Sequence, residues 1–195
     1  MTRSSHHAPR AGFSLIEVLL VVAIAMVITA TAVPRITTVV ANTKLRASMT
    51  SLSGLLQNCR MSAVQQNKTM TTHFQTQSSG LVGFVKLADG GTTLAKQDYQ
   101  VEMQAPINKL IPPLPTGSPA EISTSLLGFT PHTEEPSFNS RGLPCLYSGG
   151  ACNSFGFIYY FKDTRITSPG GWAAISISPA GRVKRWFWNG SAWTD

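Results

Sequence analysis

Charge is scarce in this chain. Of its 195 residues only 13% are Asp, Glu, Lys or Arg, and the nine acids are outnumbered by sixteen Lys and Arg. So few charges suit an extracytoplasmic domain of strands and loops better than a highly charged cytosolic enzyme. Histidine is as sparse: His6, His7, His73 and His132 show no metal-ligand spacing in sequence, and three cysteines are too few for a zinc cluster. No glycine-rich phosphate loop and no G-x-S-x-G elbow occurs. No internal repeat is evident. These absences argue against an enzyme, a metal and a cofactor. They leave binding or assembly as the work of the chain.

The net charge of +7 falls to +5 if Met1–Gly12 is removed, because Arg3 and Arg10 go and no acid does. A basic balance favours acidic partners such as nucleic acid or anionic lipid, or serves solubility alone. Cys145 and Cys152 bracket a loop holding Tyr147, Gly149 and Gly150, so a short disulfide is expected in an oxidising compartment. Cys59 falls on an apolar helical stripe and reads as a small buried hydrophobe.

What is abundant is apolar length at the N-terminus. A basic leader (Arg3, His6, His7, Arg10) precedes Gly12-Phe13-Ser14-Leu15-Ile16-Glu17, and an apolar run continues from Val18 to Val33. About 20 such residues span a bilayer, and basic flanks stay on the cytoplasmic side. Glu17 at the mouth of that run costs roughly 2.5–3.5 kcal/mol on insertion scales, so it needs a partner and a reason. An ordinary secretory signal could use Ala30-Thr31-Ala32 as its cleavage site and leave Val33 as the first residue. A plain single-span anchor is the other simple reading. Neither explains Glu17.

Beyond the run, Leu45, Met49, Leu52, Leu56, Cys59 and Ala63 recur at steps of four and three. They form one face of an amphipathic helix over 41–66, opposite Lys44, Ser48, Ser51, Asn58 and Ser62. Joined to the apolar run, this predicts a helix from Phe13 to about Gln66, roughly 80 Å long. Pro34 removes a donor and should kink or loosen it. After Lys68 the period changes to two. Thr69–Gln77 and Leu81–Leu87 read as a hairpin, and Tyr99–Gln104 as a third strand. Ala105–Pro119, with five prolines, reads as a loop or edge crossing. Glu121–Thr130 is expected to hold another strand and Pro131–Ser154 to be irregular. Phe155–Phe161, Trp172–Ser178 and Arg182–Trp188 are strong strand candidates.

The block GFSLIEVLLVVAIAMVITATAVP resembles the class III signal of type IV pilins and type II secretion pseudopilins. The resemblance covers about the first quarter of the chain. It implies cleavage between Gly12 and Phe13 by a prepilin peptidase, with N-methylation of Phe13. Glu17 then becomes mature residue five and Pro34 mature residue twenty-two, as that family expects. It also implies that Glu17 pairs with the Phe13 amine of a neighbouring subunit in a pilus or pseudopilus. Phe138-Asn139-Ser140-Arg141-Gly142 and SISPAGRVKRW look like late motifs of the GspH/FimT-type minor pilins and pseudopilins. That branch implies an α+β fold, the long helix packed on a head of antiparallel β-sheets. The expected organisation is therefore a leader (1–12), a transmembrane and assembly segment (13–33), the amphipathic half of the helix (34–66) and a periplasmic head (67–195), anchored in the inner membrane.

A terminal hairpin carries the second expectation. Ser178-Pro179-Ala180-Gly181-Arg182 reads as a three-residue turn with Gly181 left-handed. Pairing Ser178 with Arg182 sets Ile175, Ile177, Val183 and Phe187 on one face. Trp172, Ser176, Ser178, Arg182, Lys184, Trp186 and Trp188 fall on the other, while Arg185 sits on the apolar side and must reach out at an edge. Cations bind phosphates and indoles can stack on bases, so this face suits DNA. FimT-type DNA-uptake pilins are similar, with a GRxR motif. Here it is Gly181-Arg182-Val183-Lys184, with Lys for the second Arg, which keeps charge but loses the guanidinium fork. The alternative is a solvated strand face whose indoles cover the sheet.

Overall fold

The computed structural model describes residues 14–104, 106–167 and 170–195, with side chains throughout except at 31–35 and 104. It falls into two compact units, Met1–Val39 and Val40–Asp195. One helix, α1 (Leu15–Gln66), contributes to both. In the first unit its side chains from Leu15 to Ala30 are exposed. The side chain of Pro34 lies outside the described set, while the backbone at the joint expected there is helical within α1. Gly12 and Phe13 also lie outside the described residues.

In the second unit α1 is amphipathic as its spacing predicts. Leu45, Met49, Leu52, Leu56, Cys59 and Ala63 are all buried, and Leu55 joins them. They pack on the inner faces of two sheets in one continuous core. After α1 the chain forms β1 (Met70–Gln77) and β2 (Gly80–Leu87), a hairpin, then β3 (Gln100–Gln104) and β4 (Ile107–Leu110). A single-turn helix α2 (Thr124–Leu127) follows, then β5 (Pro131–His132), β6 (Ser137–Phe138), β7 (Pro144–Ser148) and β8 (Ala151–Ser154). The chain ends with β9 (Gly156–Asp163), β10 (Trp172–Ile177), β11 (Val183–Trp188) and β12 (Trp193–Thr194). The first sheet runs β3-β2-β1-β6-β7-β8 and the second β12-β11-β10-β9-β4, with β5 paired parallel to β9. All other pairings are antiparallel. This is an α+β fold with the helix packed on antiparallel sheets.

Three expectations are corrected. The Pro-rich stretch contains β4, because Ile107 is a core residue and Ile107–Leu110 pair with β9 ahead of Pro112. The segment 121–130 holds α2 and not a strand. Ser123 caps it by accepting from Leu126 N–H at 3.3 Å, and Gly128 ends it at φ 79°. The stretch 131–154 holds β5 to β8. These strands of two to five residues have no apolar alternation of their own, and their ladders are supplied by β1, β9 and one another.

The second sheet is buried on both sides. Ala173, Ile175 and Ile177 face α1. On the reverse, Ala174, Ile158, Tyr160 and Trp186 form a smaller core under Leu110, Leu114, Ile122, Leu127 and Trp193. The Pro-rich loop and α2 therefore cover the face that alternation alone assigns to solvent.

Candidate functional site

Two regions carry the chemistry. The first is the start of α1. Leu15, Ile16, Leu19 and Leu20 are 79%, 74%, 59% and 60% exposed. Glu17 lies exposed in the first turn, its N–H donating to Ser14 O at 3.0 Å. It is the only acid of α1, whose other charges are Arg35, Lys44, Arg46 and Arg60. Among the described residues no helix is long and apolar enough to cross a membrane. The segment 13–33 expected to do so extends past the described side chains at both ends.

The second region is the β10–β11 hairpin. Its turn has the expected form: Gly181 is at φ 82°, Gly181 N–H donates to Ser178 O at 2.7 Å and Ser178 N–H to Arg182 O at 2.9 Å. The register Ile177↔Val183, Ile175↔Arg185 and Ala173↔Phe187 gives the expected faces. Arg182 and Arg185 are exposed. Arg185 escapes the core side by reaching α1, where its guanidinium donates to Thr50 Oγ1 at 2.7 Å. Arg46 lies over the Phe187 ring at 4.3 Å.

The indoles are not where a stacking platform needs them. Trp186 is 2% exposed, and its N–H donates to Ser176 Oγ at 2.9 Å. Trp172 is buried as well. Trp188 is half-buried edge-on against Trp193, with ring centroids 5.6 Å apart. The expectation that Trp186 interleaves with cations on an open face is thereby corrected: its ring belongs to the smaller core. Lys184 is half-buried over the Trp186 ring at 4.0 Å and pairs with Asp195 at 2.7 Å. That hydrogen bond and charge hold the Asp195 carboxyl below its usual value.

The motifs at 138–142 and 178–182, distant in sequence, meet on α1. Asn139 Oδ1 accepts from the N–H groups of Arg141 and Leu143, both at 3.0 Å, closing a turn with Gly142 at φ 74°. A Cβ on Gly142 would stand 3.0 Å from Val64 and 3.1 Å from Arg60 Nε, and one on Gly181 would stand 3.3 Å from Gly142 O. Arg60 donates to Gly181 O at 3.3 Å. Exposed Arg141 and Arg182 each adjoin this contact, and among the described residues neither is in an ion pair. Sequence reasoning missed Arg60, whose only signal was its place one residue after the buried Cys59.

Elsewhere, Cys145 and Cys152 form the expected disulfide between β7 and β8, with Cα atoms 5.2 Å apart. Cys59 is free, and burial pushes its thiol up to about 12. One polar cluster ties the sheets together. Glu135 accepts from Phe74 N–H at 3.0 Å and lies 2.6 Å from His73 Nδ1. The Tyr159 hydroxyl donates to Glu134 O, and Lys109 sits over Phe74 and Tyr159 at 4.3 and 4.8 Å. Among the described residues no group of His, Cys, Asp and Glu is placed to hold a metal.

Residues 8–33 match the prokaryotic N-terminal methylation motif. No curated protein matches the chain. The chain is similar to the crystal structure of the type IV minor pilin FimU of Pseudomonas aeruginosa. That similarity has 15% identity and a TM-score of 0.45, and covers 79% of this chain and 95% of that one.

Proposed function

We propose that this chain is a GspH/FimT-type minor pilin or pseudopilin, serving a type IV pilus or a type II secretion system. A prepilin peptidase cuts between Gly12 and Phe13 and Phe13 is methylated. The protein waits in the inner membrane with its head in the periplasm, then assembles through α1. The observation that carries this is one acid, Glu17, in an exposed apolar helix inside a methylation motif. Water leaves when such helices bundle, so the carboxylate must find a cation, and the new Phe13 amine of a neighbour supplies one. Mass spectrometry of the mature N-terminus should find methyl-Phe13. Glu17→Ala should be processed yet absent from sheared filaments; normal incorporation would overturn the pairing.

A second reading, DNA capture for uptake, is favoured by exposed Arg182, Arg185 and Arg141. It works through cations and phosphates, since Trp186 is enclosed and Lys184 is engaged by Asp195. Gel-shift titration of the full chain in detergent tests it. Arg182→Ala should weaken binding and flatten its salt dependence. No binding at low salt leaves assembly alone.

A further inference from the structure

Strand β4 ends the second sheet, and a cleft of about 410 Å³ separates it from the β1–β2 hairpin. Phe74, Leu81, Ile107 and Leu110 wall the cleft, and Lys109 is its one charged lining residue. Apolar walls with a few polar groups are the common form of a small-ligand pocket. Lys109 stands two residues after buried Ile107, so alternation puts it on the same, core-facing side of β4. Snorkelling would carry its ammonium out to water. Instead the ammonium lies over the Phe74 and Tyr159 rings at 4.3 and 4.8 Å. Removal from water lowers its pKa, against the opposing pull of the Glu135 charge. Glu135 is committed elsewhere, accepting from Phe74 N–H at 3.0 Å and lying 2.6 Å from His73 Nδ1. Among the described residues Lys109 has no ion pair, and no carbonyl, carboxylate or hydroxyl accepts from its three donors.

We infer that this cleft binds a monocarboxylate with a short apolar body. The carboxylate accepts from Lys109, and the body lies against Phe74, Leu81 and Ile107. A half-desolvated ammonium without an acceptor is costly, and an incoming carboxylate supplies the missing hydrogen bonds. The two ring faces hold the cation in place and cannot substitute for an acceptor. A neutral body of the same shape gains the walls and forfeits the charge. The carboxylate belongs to a free small acid or to the C-terminus of a polypeptide, and the chemistry of recognition is the same. Neither Glu17 nor Arg182 takes part, so the inference does not depend on the assembly or DNA readings.

The test follows the methyl NMR signals of Leu81 and Ile107 in the full chain in detergent. The probes are benzoate, its neutral isostere benzamide, and acetyl-Gly-Phe with a free carboxylate. Benzoate or acetyl-Gly-Phe should shift both signals saturably, and the tighter of the two names the source of the carboxylate. Benzamide should bind about ten-fold or more weakly than benzoate. Lys109→Met keeps the length of the stem without the charge. It should bring benzoate down to the level of benzamide and leave benzamide unchanged. Equal binding of benzoate and benzamide by the native chain overturns the inference, as does the absence of a saturable shift with both carboxylates. Undiminished benzoate binding in folded Lys109→Met overturns it too. Where that variant does not fold, the comparison of benzoate with benzamide on the native chain decides.

Discussion

The guanidinium of Arg60 donates to the carbonyl of Gly181 at 3.3 Å, across 121 positions of sequence. Through it the helix holds a turn from each sheet, Gly142 at φ 74° and Gly181 at φ 82°. Gly142→Ala should therefore pay both backbone strain, about 1–3 kcal/mol, and the displacement of Val64 or Arg60. Gly149→Ala has positive φ but open space around it and should cost less. Urea unfolding of the two variants measures the difference. Equal costs would show that the clamp is slack.

Acid should loosen the cluster around Glu135. Burial alone would raise its carboxyl, but hydrogen bonds from His73 and Phe74 N–H, with the charges of His73 and Lys109, hold it below the usual 4.5. A depressed carboxyl contributes stability above its unfolded value and loses it as pH falls through the folded one. Stability should thus fall as pH drops below 4.5, and Glu135→Gln should flatten that slope. Thermal melts between neutral and acid pH check this; parallel profiles would contradict it.

Reducing the Cys145–Cys152 bridge should cost about 2.5 kcal/mol by loop-closure entropy for so short a loop. The chain should stay folded on its helix-centred core. Cys59, buried with its thiol pushed up to about 12, should resist alkylation until the protein unfolds. Mass spectrometry after iodoacetamide treatment of the reduced, native chain should find label on half-buried Cys152 ahead of Cys59 and Cys145, both of which are buried.

Trp186 and Arg182 should separate stability from binding. Trp186→Ala removes a fully enclosed ring and its bond to Ser176, and should cost about 3–5 kcal/mol. Arg182→Ala, at an exposed position, should stay within about 0.5 kcal/mol. Denaturant midpoints decide the first comparison and gel shifts show which variant alters DNA affinity. A specific binding loss in a fully stable Trp186→Ala would restore the stacking role.

Legibility followed periodicity. The stripe from Leu45 to Ala63 and the strands from β9 to β11 were readable because burial there repeats with the period of one element. The turn at Gly181 was readable because Ser-Pro-Ala-Gly-Arg admits few backbone paths. Strands β4 to β8 were not, since Ser137, Pro144 and Asn153 carry no pattern and their partners lie far away in sequence. The outer face of β10–β11 was misread for a related reason: alternation gives two faces but does not say what lies over each. Leu114 and Ile122, arriving from the Pro-rich segment, turned a seemingly open indole face into a second core.

By itself the sequence determined the helix, its lone acid, the methylation motif and the register of the last hairpin, because each is a matter of local spacing along one chain. Only the tertiary structure decided that Trp186 is enclosed, that Lys184 is engaged by Asp195, and that Arg60 gathers Gly142 and Gly181 beside Arg141 and Arg182. Those outcomes depend on which distant segments compete for the same surface, and burial of apolar area settles that competition only when the whole domain closes.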